Sequence, residues 1–431
     1  MQGGGLKSLG GFATVSDCVT RNRRRLWKSA LKREADTPLH RIRRWQSGET
    51  PGPWTVTLLP TNRCNLHCPM CWQRHVDVDY AKELPDSRLE ELVDEGAELG
   101  VRQWNISGGG EPMARGELVM NLCARIRRRG MNGVIQTNAT MFSPEQLEQL
   151  TRIGWMRIVV SLEGPTPVTN DAVRGQGSFM KATGAARLLQ TLKQEHGTEW
   201  PQISTYTVLT RWNFTQLEPM MELAHELGCV AAEVSLLIGD TEACNALRPP
   251  PDCQEELAIH VDRAVRRAES LGVEQNLITL LPNGARNGWT CPSGVVTGRR
   301  SDTDLSFAVC FEPWLSMTIF QDGRAGPCCV FWDYEADSVQ HRSLRDVWVG
   351  PFLQRVRKDL REGVAWRQCA QCLSITQVRN ESFRERLRLH QMNLPRQAAV
   401  LARKAASSVK RHGLRRAAAR ALEWTRLGQK W

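Results

Sequence analysis

Three cysteines fall within eight residues of the chain, in TNRCNLHCPMCW: Cys64, Cys68 and Cys71, spaced C-x3-C-x2-C. Thiolates that close together can converge on one metal centre, and thiolates suit iron–sulfur clusters or zinc. On a four-iron cluster, three ligands leave one iron open to a ligand from outside the chain. The alternative is a zinc knot completed by His67 or His75. A second set is Cys310, Cys328, Cys369 and Cys372, enough to saturate a cluster or a zinc ion. Cys369 and Cys372 form a chelating C-x2-C pair, and Gly323 sits four intervening residues before Cys328, as a turn joining two strands would need. Cys329 adjoins Cys328 and is an alternative ligand. A third motif is SGGGEP, Ser107–Pro112. Glycines there allow backbone to approach a ligand closely, and Glu111 can accept hydrogen bonds from an ammonium group. A plain tight turn explains the same glycines.

The elements that must carry these motifs alternate. Short β-prone runs occur at Trp54–Pro60, Arg102–Ser107, Gly133–Thr137, Trp155–Leu162, Gln202–Thr210 and Val230–Ile238. Between them lie helical stretches at Pro85–Gly100, Glu117–Gly130, from Ser143 to about Ile153, and around Phe179–His196 and Thr215–Gly228. Ser143–Gln146 is a capping box with proline at the first helical position. Six β–α alternations predict a parallel sheet with right-handed crossovers, an α/β fold. Another helix is expected near Gln254–Leu271, a loop at Pro282–Arg300, and a second, smaller cysteine- and tryptophan-rich domain from Cys310 to Cys372. From Thr376 onward the chain reads as helical, basic and alanine-rich.

The motifs fall at equivalent places in that alternation. The cysteine loop follows strand one, SGGGEP strand two and Asn138 strand three, while Ser161 and Glu163 close strand four. In a β/α barrel those strand ends share one rim, where active sites sit. A zinc knot would not predict this placement.

With its C-x3-C-x2-C loop, the GGEP of Gly109–Pro112 and a partial barrel over roughly Trp54–Asp240, the sequence resembles the radical S-adenosylmethionine superfamily. The resemblance implies a partial (β/α)6 TIM-like barrel in which Cys64, Cys68 and Cys71 hold a [4Fe–4S] cluster and S-adenosylmethionine chelates the open iron. It also implies that Gly109, Gly110 and Glu111 line the methionine amino group, and that Asn138, Ser161 and Glu163 contact the ribose or methionine moiety. Arg174, in NDAVRGQGSF, would bind the methionine carboxylate; the alternative is a surface ion pair. Met70 departs from the aromatic residue many members carry before the third cysteine. The implied activity is reductive cleavage to a 5′-deoxyadenosyl radical that abstracts a substrate hydrogen, with flavodoxin or ferredoxin as electron donor.

The later cysteines resemble the auxiliary-cluster domain of these enzymes, SPASM in its long form and twitch in its short form. No cysteine follows Cys372, so one auxiliary [4Fe–4S] cluster on Cys310, Cys328, Cys369 and Cys372 is expected, with Trp314 packed beside it. The favoured substrate is a sugar-like or other small polar molecule that is oxidised or otherwise functionalised. The alternatives are a peptide- or protein-modifying maturase and, in another class, a non-catalytic zinc-binding structural protein. Residues 1–50 show no peptide-clasping winged-helix pattern, which leans away from a leader-dependent maturase.

Composition bounds these readings. The 431 residues are 41% hydrophobic and 24% charged, enough for a packed core. No stretch of about 18 apolar residues exists to cross a membrane, and no export signal is visible. Fourteen cysteines in a chain this long read as thiols or metal ligands rather than a disulfide scaffold. Residues 1–50 hold 11 basic and 4 acidic side chains, net +7, and residues 376–431 hold 14 and 3, net +11; the total of +11 leaves −7 for residues 51–375. The expectation is a cytoplasmic protein whose basic tails contact an anionic membrane surface or simply solvent; no nucleic-acid module is recognisable. The expected domains are a basic extension (1–50), the barrel core (51–250), a helix and linker (251–300), the auxiliary domain (301–376) and a basic helical tail (377–431). Cys18, Cys123, Cys229, Cys244 and Cys253 read as buried thiols and Cys291 as a bystander.

Overall fold

A computed structural model describes residues 36–71, 79–238, 241–281, 305, 308, 310–331, 336–372 and 374–391. His75, Cys18, Cys291, the 282–300 loop and most of both basic ends lie outside these residues. The chain enters through helix α1 (Pro38–Gln46), whose N-cap Thr37 accepts the His40 amide. It then alternates as expected: β1 (Thr55–Leu58), α2 (Asp86–Glu98), β2 (Gln103–Ile106), α3 (Gly116–Arg128), β3 (Asn132–Thr137), α4 (Pro144–Arg152), β4 (Arg157–Ser161), α5 (Pro167–Arg174), α6 (Ser178–Glu195), β5 (Gln202–Leu209), α7 (Leu217–Glu226) and β6 (Ala231–Leu236). The capping box at Ser143 forms with both of its reciprocal hydrogen bonds.

Two features extend the six-strand expectation. After α8 (Glu242–Leu247) and α9 (Gln254–Leu271), a two-residue strand β7 (Glu274–Gln275) adds to β6. The cysteine-rich segment begins with α10 (Glu312–Leu315) and a hairpin of β8 (Ser316–Ile319) and β9 (Ala325–Gly326). Strand β8 pairs in parallel with β1, Thr55 opposite Ser316 and Leu58 opposite Ile319. The sheet order is therefore β7-β6-β5-β4-β3-β2-β1-β8-β9, parallel throughout except for β8–β9. The small domain shares the barrel's sheet. Gly323 turns the hairpin with φ near +83°, as its spacing from Cys328 predicted. Helices α11 (Leu344–Trp348), α12 (Pro351–Arg361) and α13 (Ser374–Gln391) follow, and α13 packs against β6.

Strand residues alternate between two faces, and the faces have different fates. One face, Val56, Trp104, Ile135, Ile158, Ile203 and Val234 for example, is at most 1% exposed and joins helix side chains such as Leu92, Leu122 and Met220 in the main apolar core. The other face, with Thr57, Asn105, Gln136, Val159, Tyr206 and Glu233 in the corresponding strands, is half-buried. A closed barrel fills its interior with layers of branched aliphatic side chains. This one is open, and its lumen is lined largely by polar groups. Trp314 packs into the main apolar core, with its carbonyl accepting the Trp45 indole at 3.1 Å.

Candidate functional site

The cysteine loop leaves β1 and is held from both sides. Leu59 donates its amide to Ile319 of β8, and the Cys71 amide closes a turn on the Cys68 carbonyl at 3.0 Å. Glu83 secures the loop's start, accepting from the Thr61 hydroxyl at 2.7 Å and the Asn62 amide at 2.9 Å. The Cys68 sulfur lies within electrostatic reach of Cys64 and Cys71. Burial makes these thiols weaker acids: it raises the pKa of Cys64 and pushes that of Cys68 up to about 11. Without metal Cys64 and Cys68 are thiols at neutral pH, and ligation must displace their protons.

The SGGGEP loop lies directly on the cysteine loop. The Gly110 amide donates to Thr61 and the Glu111 amide to Arg63, each at 2.8 Å. A Cβ at position 110 would sit 2.1 Å from the Arg63 carbonyl oxygen, so only glycine fits. Glu111 is 3% exposed and ties this loop to the end of β3: it accepts from the Thr137 hydroxyl at 2.6 Å and from the amides of Asn138 and Met113 at 2.7 and 3.1 Å. Burial pushes its pKa above the ordinary carboxylate value against the pull of these donors. Asn138 in turn donates to Asn65, inside the cysteine loop, at 2.9 Å. Ala139 follows with φ of +57°, a left-handed conformation that only local bonding makes tolerable, here its amide on Thr137.

Strand four ends in Ser161, buried, and Glu163, fully buried. Glu163 accepts the Val208 amide at 2.7 Å and pairs with Arg174 at 2.6 Å. The surface-pair alternative for Arg174 is thereby corrected: the pair is buried. Helix α5 presents Arg174 because Thr166 and Pro167 start it and Asn170 bonds the Glu163 amide. The Arg174 guanidinium also acts on Cys68 and Glu111, and its Nε, buried, has no hydrogen-bond partner. Beneath the loop, Met70, Val173, Leu237, Cys244 and Leu247 form a separate apolar cluster against which Cys68 packs.

The second cysteine set also converges. Cys310, Cys328 and Cys369 pack against the main core, Cys372 acts on Cys310 and Cys369 on Cys372. Burial raises the Cys310 and Cys328 thiols and pushes Cys372 up to about 12. Side chains that the sequence reading did not single out complete the site. Glu312, 5% exposed, stands among the thiols and pairs with Arg379 of α13. Asn380 donates to the Cys310 sulfur at 3.4 Å and accepts the Phe311 amide at 2.8 Å. Glu312 was visible in CFEPW; nothing local marks Arg379 or Asn380 within a basic helix.

One residue of the lumen face interacts with groups from both regions. Tyr206 of β5, level with Ser161 and Glu233, bonds Ser235 and lies within electrostatic reach of both Glu163 and Cys329. Among the described residues no three Cys, His, Asp or Glu side chains meet at a point for a single metal ion. A four-iron cube is wider than an ion, and ligands to its separate corners stand further apart. Soft sulfur donors beside a guanidinium whose Nε is unpartnered fit a cluster with a carboxylate-bearing ligand.

Residues 58–224 match the Radical SAM superfamily, and residues 310–373 match SPASM, an iron–sulfur cluster-binding domain. An AdoMet-dependent heme synthase of Methanosarcina barkeri is 30% identical over 44% of this chain and 52% of its own, and a PqqA peptide cyclase of Ruegeria pomeroyi is 31% identical over 43% and 47%. The chain thus spans about half the length of these curated relatives. Streptococcus suis SuiB, solved with its precursor peptide SuiA, shares the fold with a TM-score of 0.55 and 17% identity over 80% of this chain and 74% of that one.

Proposed function

The chain is a radical S-adenosylmethionine enzyme with a SPASM-type auxiliary domain, a pairing that implies a [4Fe–4S] cluster, S-adenosylmethionine and auxiliary iron–sulfur binding, and from that premise we propose that it modifies an unactivated C–H bond in a peptide substrate. Bound together, the first cluster and S-adenosylmethionine supply a one-electron cleavage of the sulfonium that ends in removal of a substrate hydrogen atom. The observation that carries the reading is Tyr206, on the polar lumen face, within electrostatic reach of both Glu163 near the first thiol set and Cys329 in the second region, with a buried cation beside the first set.

Each residue has a task in this scheme. Cys64, Cys68 and Cys71 hold the first cluster. The Gly109–Gly110 backbone lies flush with the cysteine loop and leaves room for a methionine ammonium, toward which Glu111 offers its remaining acceptor capacity. Arg174 Nε meets the methionine carboxylate, while Glu163 fixes the guanidinium and limits its movement. Asn138 and Ser161 line the same rim. Cys310, Cys328, Cys369 and Cys372 hold the auxiliary cluster. The half-buried polar lumen orients the substrate and the apolar floor around Met70 keeps water from the loop.

The small sugar-like substrate expected from sequence gives way here to a peptide, because a peptide cyclase stands among the relatives. An open lumen lined with amide and hydroxyl side chains suits a peptide backbone, whose groups need partners when withdrawn from water.

Anaerobic reconstitution tests the proposal. It predicts brown protein with about eight irons per chain, four per cluster, and release of 5′-deoxyadenosine under dithionite. Cys68→Ala abolishes that release and keeps the second cluster. Peptides encoded beside the gene should lose hydrogen or gain a cross-link by mass. Colourless protein carrying stoichiometric zinc would overturn the reading.

A further inference from the structure

Five thiols gather at the second site, and a cluster of four irons takes four. Cys328 and Cys329 are neighbours in one turn but differ in surroundings. Cys328 is half-buried and packs against the main core with Cys310 and Cys369. Cys329 is exposed. Its sulfur lies within electrostatic reach of Tyr206, which the strand alternation puts on the lumen face of β5. Two residues along that face, Ser204 is 1% exposed and its hydroxyl has no hydrogen-bond partner. On the neighbouring strand the buried Nε of Arg157 is also unpartnered, although the same guanidinium reaches Gln202 at 3.4 Å. Buried polar groups are nearly always satisfied, so two orphans on one wall mark a place where a ligand supplies the partners.

We propose that Cys329 is not a cluster ligand but a substrate-contact thiol, facing Ser204 and Tyr206 across a subsite for an amide-bearing segment of substrate. This rests on the reading of the second cysteine set as a cluster site. The serine hydroxyl and arginine Nε–H offer hydrogen bonds to substrate carbonyls, the tyrosine hydroxyl can give or accept one, and the thiol supplies a small, soft contact on the opposite side. Cys328, in the drier position, completes the cluster with Cys310, Cys369 and Cys372.

Reconstituted holoprotein can be tested without knowing the substrate. Iron analysis should show Cys329→Ala and Cys329→Ser keeping both clusters, and Cys328→Ala losing the second. Under anaerobic alkylation with iodoacetamide, peptide mass spectrometry should find Cys329 labelled about tenfold or more above Cys328, whose metal bond protects it. A polyethylene-glycol maleimide too large for the lumen should label Cys329 at least about tenfold more slowly than iodoacetamide does, relative to a free thiol standard. Loss of the second cluster in both Cys329 variants, or protection of Cys329 with labelling of Cys328, would overturn the assignment. Equal labelling by the bulky reagent would place the thiol outside the lumen and overturn the subsite. Failure of the whole reading looks different: wild-type protein would then hold no second cluster.

Discussion

Gly110→Ala is the sharpest perturbation of the first site, because a single methyl group meets backbone on the far side. An ideal Cβ there would stand 2.1 Å from the Arg63 oxygen, 2.5 Å from the Asn62 carbonyl carbon and 2.6 Å from that of Arg63. Ordinary contacts between heavy atoms begin near about 3.5 Å, so the two loops must separate by roughly 1 Å or more. Neither side can yield by rotating a side chain. The bonds from Gly110 to Thr61 and from Glu111 to Arg63 stretch first, and Cys64 moves with Arg63. Overpacking of this kind costs about 1–3 kcal/mol in stability, which a domain of this size survives, but a displacement of about 1 Å at a reacting centre costs on the order of 10²-fold in rate. The expected result is folded protein in which dithionite-driven release of 5′-deoxyadenosine falls about 10²-fold while the second cluster stays intact. Gly184→Ala is the control. It lies inside α6 with open space around it, and should raise stability by about 0.4–1 kcal/mol without touching iron content. A Gly110→Ala enzyme that releases 5′-deoxyadenosine within about twofold of wild type would refute the close apposition of the two loops.

Asn380→Leu removes the N–H···S bond to Cys310; loss of a donor to a ligating sulfur makes the second cluster harder to reduce, so its midpoint potential should shift negative with iron content unchanged, and an unmoved potential counts against the bond. Arg174→Met strands Glu163, fully buried, and should cost about 3–5 kcal/mol, part of it recovered in the Arg174→Met/Glu163→Gln double variant; an unaltered denaturation midpoint in the single variant would contradict a buried pair. Asp171 accepts from the amides of Gly177 and Phe179 and the Ser178 hydroxyl, at 2.7 to 2.9 Å, and these donors hold its pKa below the ordinary carboxylate value despite the opposing effect of burial. Its contribution is therefore present at neutral pH and fades as pH falls below about 4. Asp171→Ala should lose about 1–2 kcal/mol at pH 7 and show a shallower acid limb in a pH series of urea melts; parallel curves would refute it.

The repeating part of the fold was legible because each buried parallel strand is a short apolar run closed by turn residues, and each helix carries its own stop or start. Gln254–Leu271 and the Ser143 capping box needed only local information. The pairing of β8 with β1 did not show, since a four-residue strand far along the chain carries no mark of its partner. The same limit governs the site. Its cysteines are written as spacings and could be read from them, whereas Asn65, Arg379 and Asn380 act through contacts between distant segments. Helix α5, which aims Arg174, did have a local signal in Thr166–Pro167 that went unused.

The packing of α13 against β6 and the second site orders events during synthesis. Cys310 leaves the ribosome 70 residues ahead of Asn380, the side chain that bonds its sulfur. At about 5–20 residues per second that interval is roughly 4–14 s, during which the nascent barrel lacks α13. Any iron delivered in that window can reach the first cysteine loop, already complete, before the second site has all its ligands. The first cysteine loop is thus complete before the last cysteine of the second set, Cys372, has been made.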